Sequence, residues 1–175
     1  LHLAVRRQRQ MCIRDRFLVT QDSWFGGGTD MTPTLENEED TDFFHSSLKS
    51  ACDKHDNNYY EDFKKNCDEY FYLPHRNEPR GVGGIFFDHL NTGDWDKDFN
   101  FVKEVGRQTL KIINQVVKNK KDLDWTDEEK DKQLVKRGRY VEFNLIWDRG
   151  TLFGLKTGGS TEAILMSMPP EAKWE

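Results

Sequence analysis

The stretch YVEFNLIWDRGTLFGLKTGG, residues 140–159, decides how the rest of the chain is read. Phe143, Leu145 and Trp147 alternate with Glu142, Asn144 and Ile146, the period-two signature of a strand with one apolar face, so a strand is expected over 140–147. Asp148, Arg149 and Gly150 interrupt the alternation. Thr151, Leu152, Phe153 and Leu155 then resume it as a second extended segment. An isolated Asp-Arg-Gly is ordinarily a turn whose charges point into water. Here Trp147, Phe153 and Leu155 flank the pair and imply partial desolvation, and a desolvated charge must find a partner or a ligand. Arg149 suits a forked grip on a carboxylate, and Asp148 an N–H proton or hydrogen bond.

Working outward, 175 residues are enough for one domain with a core and too few for two comfortable ones. Twelve Phe and five Trp supply aromatic packing, while 33% charged residues and a mean hydropathy of −0.86 indicate a soluble chain. No apolar run is long enough to cross a bilayer, so no integral membrane segment is expected. A net charge of −5 offers no global basic field to nucleic acid, and an anionic ligand would have to be held by local arginines. Cys12, Cys52 and Cys67 are odd in number and lack CxxC spacing, which fits reduced thiols in a cytoplasmic protein, with Cys52 and Cys67 as small core residues. Residues 1–16 carry five arginines against one acid and no period. The segment 1–22 is therefore set apart as an atypical basic stretch outside the fold, with a single domain over 23–175. With no initiator Met and no closing element, the chain reads as a fragment.

In order along the chain, WFGGGTDMTP at 24–33 places three glycines between an aromatic pair and Asp30, which would aim a carboxylate from the end of a sheet. A helix is expected over 36–55, with Phe44, Leu48, Ala51 and Cys52 as its buried stripe and His45 at the stripe's edge. A second, over 58–71, carries Tyr60, Phe63, Cys67, Tyr70 and Phe71 on one face and is stopped by Pro74. His75, Arg76, Glu78 and Arg80 cluster on a loop before a glycine-opened strand at 82–87; solvated ion pairs are the ordinary reading of such a loop. The longest helix, 94–117, repeats Trp95, Phe99, Val102, Gly106, Thr109 and Ile113 at spacings of three and four. Thr126 and Glu129 form a capping box for a short helix. Gly158 and Gly159 precede a short helix at 163–168, either an ordinary turn or a source of free N–H groups for an anion. Walker, GxGxxG, HExxH and GxSxG signatures do not occur.

With these residues laid out, the chain resembles the aerobic, oxygen-dependent coproporphyrinogen III oxidases. The resemblance runs from about 24 to 174 and rests on WFGGGTDMTP, CDEYFYLPHRNEPRGVGGIFFDHLN and RGRYVEFNLIWDRGTLFGLKTGGSTEAILMSMPP, in that order. It implies oxidative decarboxylation of two propionates of coproporphyrinogen III to vinyl groups in haem biosynthesis, without an organic cofactor and with molecular oxygen as oxidant. It implies an α/β (α+β type) fold, a large antiparallel sheet flanked by helices on both faces in a single domain, and a homodimer. Position by position, Asp148 and Arg149 match the family's Asp-Arg pair, Asp30 the acid after its GGG, and Gly158 and Gly159 the start of its substrate-contacting Gly-Gly-Arg. His45 and His75 match histidines assigned in bacterial members to a divalent metal such as Mn2+. Two departures stand out. Ser160 occupies the place of the family's Arg, removing a positive charge from the propionate site. Residues 1–22 do not match the family's upstream stretch with its proton-donating His and Asn-x-Arg element, so impaired turnover is expected. A passive tetrapyrrole-binding fragment, and a metal-dependent hydrolase using His45, His75, Asp30 and Asp148, are the alternatives.

Overall fold

The computed structural model describes residues 23–174, so the basic segment 1–22 and Cys12 lie outside the described residues. Strand β1 (Phe25–Met31) pairs antiparallel with β4 (Gly83–Leu90), setting Asp30 opposite Gly84 and Gly28 opposite Phe86. The glycine run exists for this pairing. A Cβ at Gly28 would sit 2.8 Å from the Ile85 carbonyl oxygen, and one at Gly27 would press 2.9 Å from the Phe87 ring. A second, minimal ladder joins β2 (Tyr72–Leu73) to β3 (Glu78–Pro79) and closes the loop that carries His75 and Arg76.

Helices build the rest. Helix α1 (Glu38–Asp53) starts where the Asn37 side chain accepts from the Asp40 amide at 2.9 Å, with Glu38, Glu39 and Asp40 on the positive end of the dipole. It buries Phe44, Leu48, Ala51 and Cys52, the stripe expected from spacing. Helix α2 (Tyr59–Tyr70) follows, and α3 (Trp95–Lys120) is capped by Asp94. The core lies where α1, α2 and α3 meet the β1–β4 ribbon. Phe101 stands at its centre, with ring centroids 5.1 Å from Phe87 and 5.0 Å from Tyr59. Cys52 and Cys67 are free thiols inside it. The buried stripe of α3 departs from expectation: Asp98, Phe101, Val102, Val105, Thr109 and Ile112 face inward, while Trp95 and Phe99 stay half-exposed. Asp98 accepts from the Thr92 amide and hydroxyl at 2.9 and 2.8 Å, turning the helix so that Trp95 and Phe99 lie against Phe25 at the core's edge.

The expected large antiparallel sheet with helices on both faces is not present. Among the described residues there are two two-stranded sheets in a mainly helical fold. The strand expected over 140–147 is helical instead: α4 (Asp127–Glu142) opens with the Thr126–Glu129 capping box and runs into a π-helical turn (Phe143–Trp147). The extended segment expected over 151–155 is likewise helical, as α5 (Arg149–Lys156), and α6 (Thr161–Leu165) ends the described elements. The physical reason lies in what each side chain meets. Phe143 is fully buried, but Leu145, Ile146 and Trp147 are all exposed, so no alternating face exists. Glu142 is drawn to Arg76, and the Asn144 amide donates to the Tyr140 carbonyl one turn back at 2.8 Å, bonds that a helical backbone makes and an extended one would break. Tertiary partners here override strand propensity.

Candidate functional site

Asp30 is the last residue but one of β1, and Arg80 lies just before β4 where that strand returns to β1; their side chains form a buried ion pair, with Asp30 8% and Arg80 5% exposed. Three rings wall the guanidinium. Its carbon lies 3.9 Å from the Phe71 centroid, 4.8 Å from Phe143 and 5.4 Å from Tyr140. Burial pushes the Asp30 carboxyl above the ordinary carboxylate range, with Arg80 pulling the other way. A carboxylate whose two protonation states are brought closer in energy is suited to take up and return a proton.

The aromatic wall continues to the second acid. Tyr70, at the end of α2, stacks on Phe86 at 4.9 Å and meets Phe143 edge-on at 5.8 Å. Its hydroxyl donates to Asp148 Oδ1 at 3.0 Å, and the Thr151 amide and hydroxyl each donate to Asp148 Oδ2 at 2.7 Å. Asp148 is thus buried as the N-cap of α5. Arg149 is exposed, its backbone N–H donating to the Tyr70 hydroxyl at 3.3 Å and its guanidinium 4.8 Å from the Tyr70 ring. The desolvation expected of the pair therefore applies to Asp148 alone. It comes from Tyr70 and Thr151 and not from Trp147, Phe153 and Leu155, which are exposed. Burial, then the Asp148 charge, raises the Tyr70 phenol. Asp30, Arg80, Asp148 and Arg149 consequently share one aromatic wall of Phe71, Phe143 and Tyr70.

The histidines are held differently. His45 must donate from Nε2 to the Val82 carbonyl at 2.8 Å, which leaves Nδ1 to accept from the Tyr60 hydroxyl at 3.0 Å. In His75, Nδ1 accepts from the Trp147 indole N–H at 3.0 Å, so Nε2 donates to Glu142 at 2.8 Å. Both rings use both nitrogens, and among the described residues no group of three or more His, Cys, Asp or Glu could hold a metal ion. The described residues do not fit a metal centre at His45 and His75. The loop read as solvated ion pairs is in fact organised by Glu142, which takes a forked contact from Arg76 at 3.0 and 2.6 Å; Arg76 above all holds its carboxyl down at about 2. Arg139 binds Glu78 at 2.8 Å beside it.

Gly158 adopts a left-handed φ of 71° and Gly159 donates its N–H to the Gly154 carbonyl at 2.9 Å, closing α5. Ser160 caps α6, its hydroxyl accepting from the Ala163 amide at 3.4 Å. All three are exposed. Arg80 and Tyr70 are the partners that sequence reasoning missed. The signal for Arg80 was its place directly before the glycines that bring β4 alongside Asp30. Tyr70 carried none, since its hydroxyl and its ring play separate parts.

A family model described as coproporphyrinogen III oxidase matches residues 2–175. The chain is similar to the oxygen-dependent coproporphyrinogen-III oxidase of Rickettsia bellii strain OSU 85-389, 57% identical over 164 residues covering 94% of this chain. It is similar also to that of Rickettsia akari, 56% identical over 164 residues and the same share. The chain spans 59% of the length of these relatives.

Proposed function

The chain belongs to the coproporphyrinogen III oxidase family, and from that premise we propose that it carries the acid-and-guanidinium face of an oxygen-dependent oxidase acting on coproporphyrinogen III in haem biosynthesis. The observation that carries the proposal is the common aromatic wall joining the buried Asp30–Arg80 pair to Asp148 and Arg149. A reduced tetrapyrrole is a broad apolar ring bearing N–H acids at its centre and carboxylates at its rim. Rings to pack against, a buried acid to exchange a pyrrole proton and an exposed guanidinium to grip a propionate match that chemistry. Arg149 is the propionate ligand in this scheme, Asp30 the proton acceptor, and Arg80 and Tyr70 set their positions. Gly158, Gly159 and Ser160 are proposed at the propionate edge. The reaction balances for each side chain as propionic acid plus oxygen giving vinyl, carbon dioxide and hydrogen peroxide, so the electrons pass from substrate to oxygen and the protein supplies binding, proton transfer and exclusion of water.

The exposed run Leu145, Ile146 and Trp147, with Phe153 and Met166, supports burial against another surface, and a second copy of the chain is the partner proposed. Buried free thiols support a cytoplasmic location. No helix among the described residues is long and apolar enough to cross a membrane. The test is to load the chain with coproporphyrinogen III without oxygen, admit oxygen, and follow vinyl product. Product formation that is lost in Arg149→Ala supports the assignment. Binding without product overturns the catalytic reading in favour of a passive tetrapyrrole-binding module.

A further inference from the structure

Glycines flank Val82 on both sides, as Gly81, Gly83 and Gly84, and Gly83 and Gly84 have φ of 81° and 157°. Glycine restricts its own backbone least, so the turn into β4 does not by itself fix Arg80, which stands immediately before it. The guanidinium needs fixing. Its Nε is buried and has no hydrogen-bond partner among the described residues, so its head is oriented by the Nη2 contact to Asp30 and by the aromatic faces around it. A buried ion pair repays its desolvation only in good geometry, and a small backbone shift at Arg80 would spoil that geometry.

The backbone here is pinned from outside. The Arg80 N–H donates to the Phe71 carbonyl at 3.0 Å, and the Val82 N–H donates to the Met31 carbonyl at 3.0 Å. The Val82 carbonyl takes its bond from a side chain of α1, the Nε2–H of His45 at 2.8 Å. A carbonyl only accepts, so Nε2 carries the proton and Nδ1 is left to accept from the Tyr60 hydroxyl of α2 at 3.0 Å. Tyr60 is buried, which shields that bond from competing water. The imidazole is thereby held in the one tautomer that can donate to Val82. We propose that His45 is a positioning residue: through the Val82 carbonyl it holds the Arg80 backbone, and with it the guanidinium, against Asp30, while Tyr60 keeps the imidazole in its donating tautomer. The consequence for turnover rests on the proton-accepting role proposed for Asp30; the hold on Arg80 does not.

The test has one readout in the chain alone and one in turnover. A buried, ion-paired guanidinium gives slowly exchanging N–H signals in isotope-edited NMR of the arginine-labelled chain, and those of Arg80 are identified by their absence in Arg80→Met. His45→Leu should shift or broaden them, Tyr60→Phe should do so to a smaller degree, and His45→Gln, whose amide keeps an N–H donor of similar reach, should restore them. With coproporphyrinogen III and oxygen, vinyl product should form about tenfold or more slowly in His45→Leu while substrate affinity stays within about twofold, because Arg149 is untouched, and His45→Gln should recover most of the rate. Tyr60→Phe removes one hydroxyl and keeps the ring, so it decides the matter should His45→Leu fail to fold. Arg80 signals unchanged in either folded variant, or His45→Gln no better than His45→Leu, would overturn the proposal. A parent chain that makes no vinyl product would count against the oxidase reading instead, and the guanidinium signals would still decide the role of His45.

Discussion

Arg80→Met removes the guanidinium from the buried pair while keeping an unbranched apolar stem among Phe71, Tyr140 and Phe143. Asp30 would then be buried with no counter-charge, and breaking a buried pair from one side costs about 3–5 kcal/mol. With a urea dependence of about 2 kcal/mol per molar for a chain of this size, the unfolding midpoint should fall by about 1.5–2.5 M at pH 7. The sign with pH follows from Asp30. Burial already raises its folded carboxyl, and losing Arg80 raises it further, so the folded variant prefers the protonated acid. Its deficit should therefore be smallest below the unfolded carboxylate pKa of about 3.9 and grow as pH rises through the folded value. Urea unfolding followed by circular dichroism at pH 4 and pH 7 measures both effects, and Asp30→Asn combined with Arg80→Met should recover part of the loss at pH 7. A loss under about 1 kcal/mol, equal at the two pH values, would mean that water solvates the pair and that the site is not closed as described.

Four further outcomes are expected. Phe143→Ala should cost about 3–5 kcal/mol because its ring is wholly buried, whereas Leu145→Ser should cost about 0.5 kcal/mol or less; similar costs at both by chemical denaturation would restore the strand reading. Glu142 is held near 2 against about 4.3 when unfolded, so it stabilises the fold above pH 4 by about 1–3 kcal/mol and loses this as pH falls toward 2. Glu142→Gln should flatten that acid limb in urea midpoints, and an unchanged limb would point to other groups. Asp148→Asn removes the neighbouring charge that helps raise the Tyr70 phenol, so a tyrosine absorbing above 290 nm should ionise at lower pH than in the parent chain; an identical titration would separate Tyr70 from Asp148. Cys52, its thiol pushed up to about 12 by burial, and Cys67 should react with a disulfide reagent only after unfolding, and prompt reaction in the native protein would contradict their place in the core.

What could be read from sequence followed from local physics. The 3.6-residue spacing of Phe44, Leu48, Ala51 and Cys52 behind an acidic first turn fixed the buried face of α1, and the Thr126–Glu129 box fixed the start of α4. The glycines at 26–28 and 83–84 marked β1 and β4. Residues 140–155 misled because aromatic and aliphatic residues alternate there by composition, whereas the backbone is decided by partners far away in the chain: Arg76 and His75 on Glu142, and Phe71 and Arg80 around Phe143. Among the described residues no third strand joins β1 and β4, so the alternation has no wider sheet to join. The site was half legible for the same reason. Asp30 and Asp148 announce themselves beside glycines and aromatics, but Arg80 sits in a charged loop that looked solvated, and Tyr70 on a helix face that looked like core alone. His45 and His75 drew attention as potential ligands, and only the Val82 carbonyl, Tyr60, Trp147 and Glu142 reveal how their nitrogens are engaged.

The most direct test is equilibrium binding of coproporphyrinogen III under strict exclusion of oxygen, in the parent chain and in Arg149→Ala and Asp30→Asn. One shared aromatic wall requires saturable binding that weakens about tenfold or more when Arg149 loses its guanidinium, the scale of a charge-assisted contact, with a clear loss in Asp30→Asn as well. Equal affinity in the parent and both folded variants would contradict it.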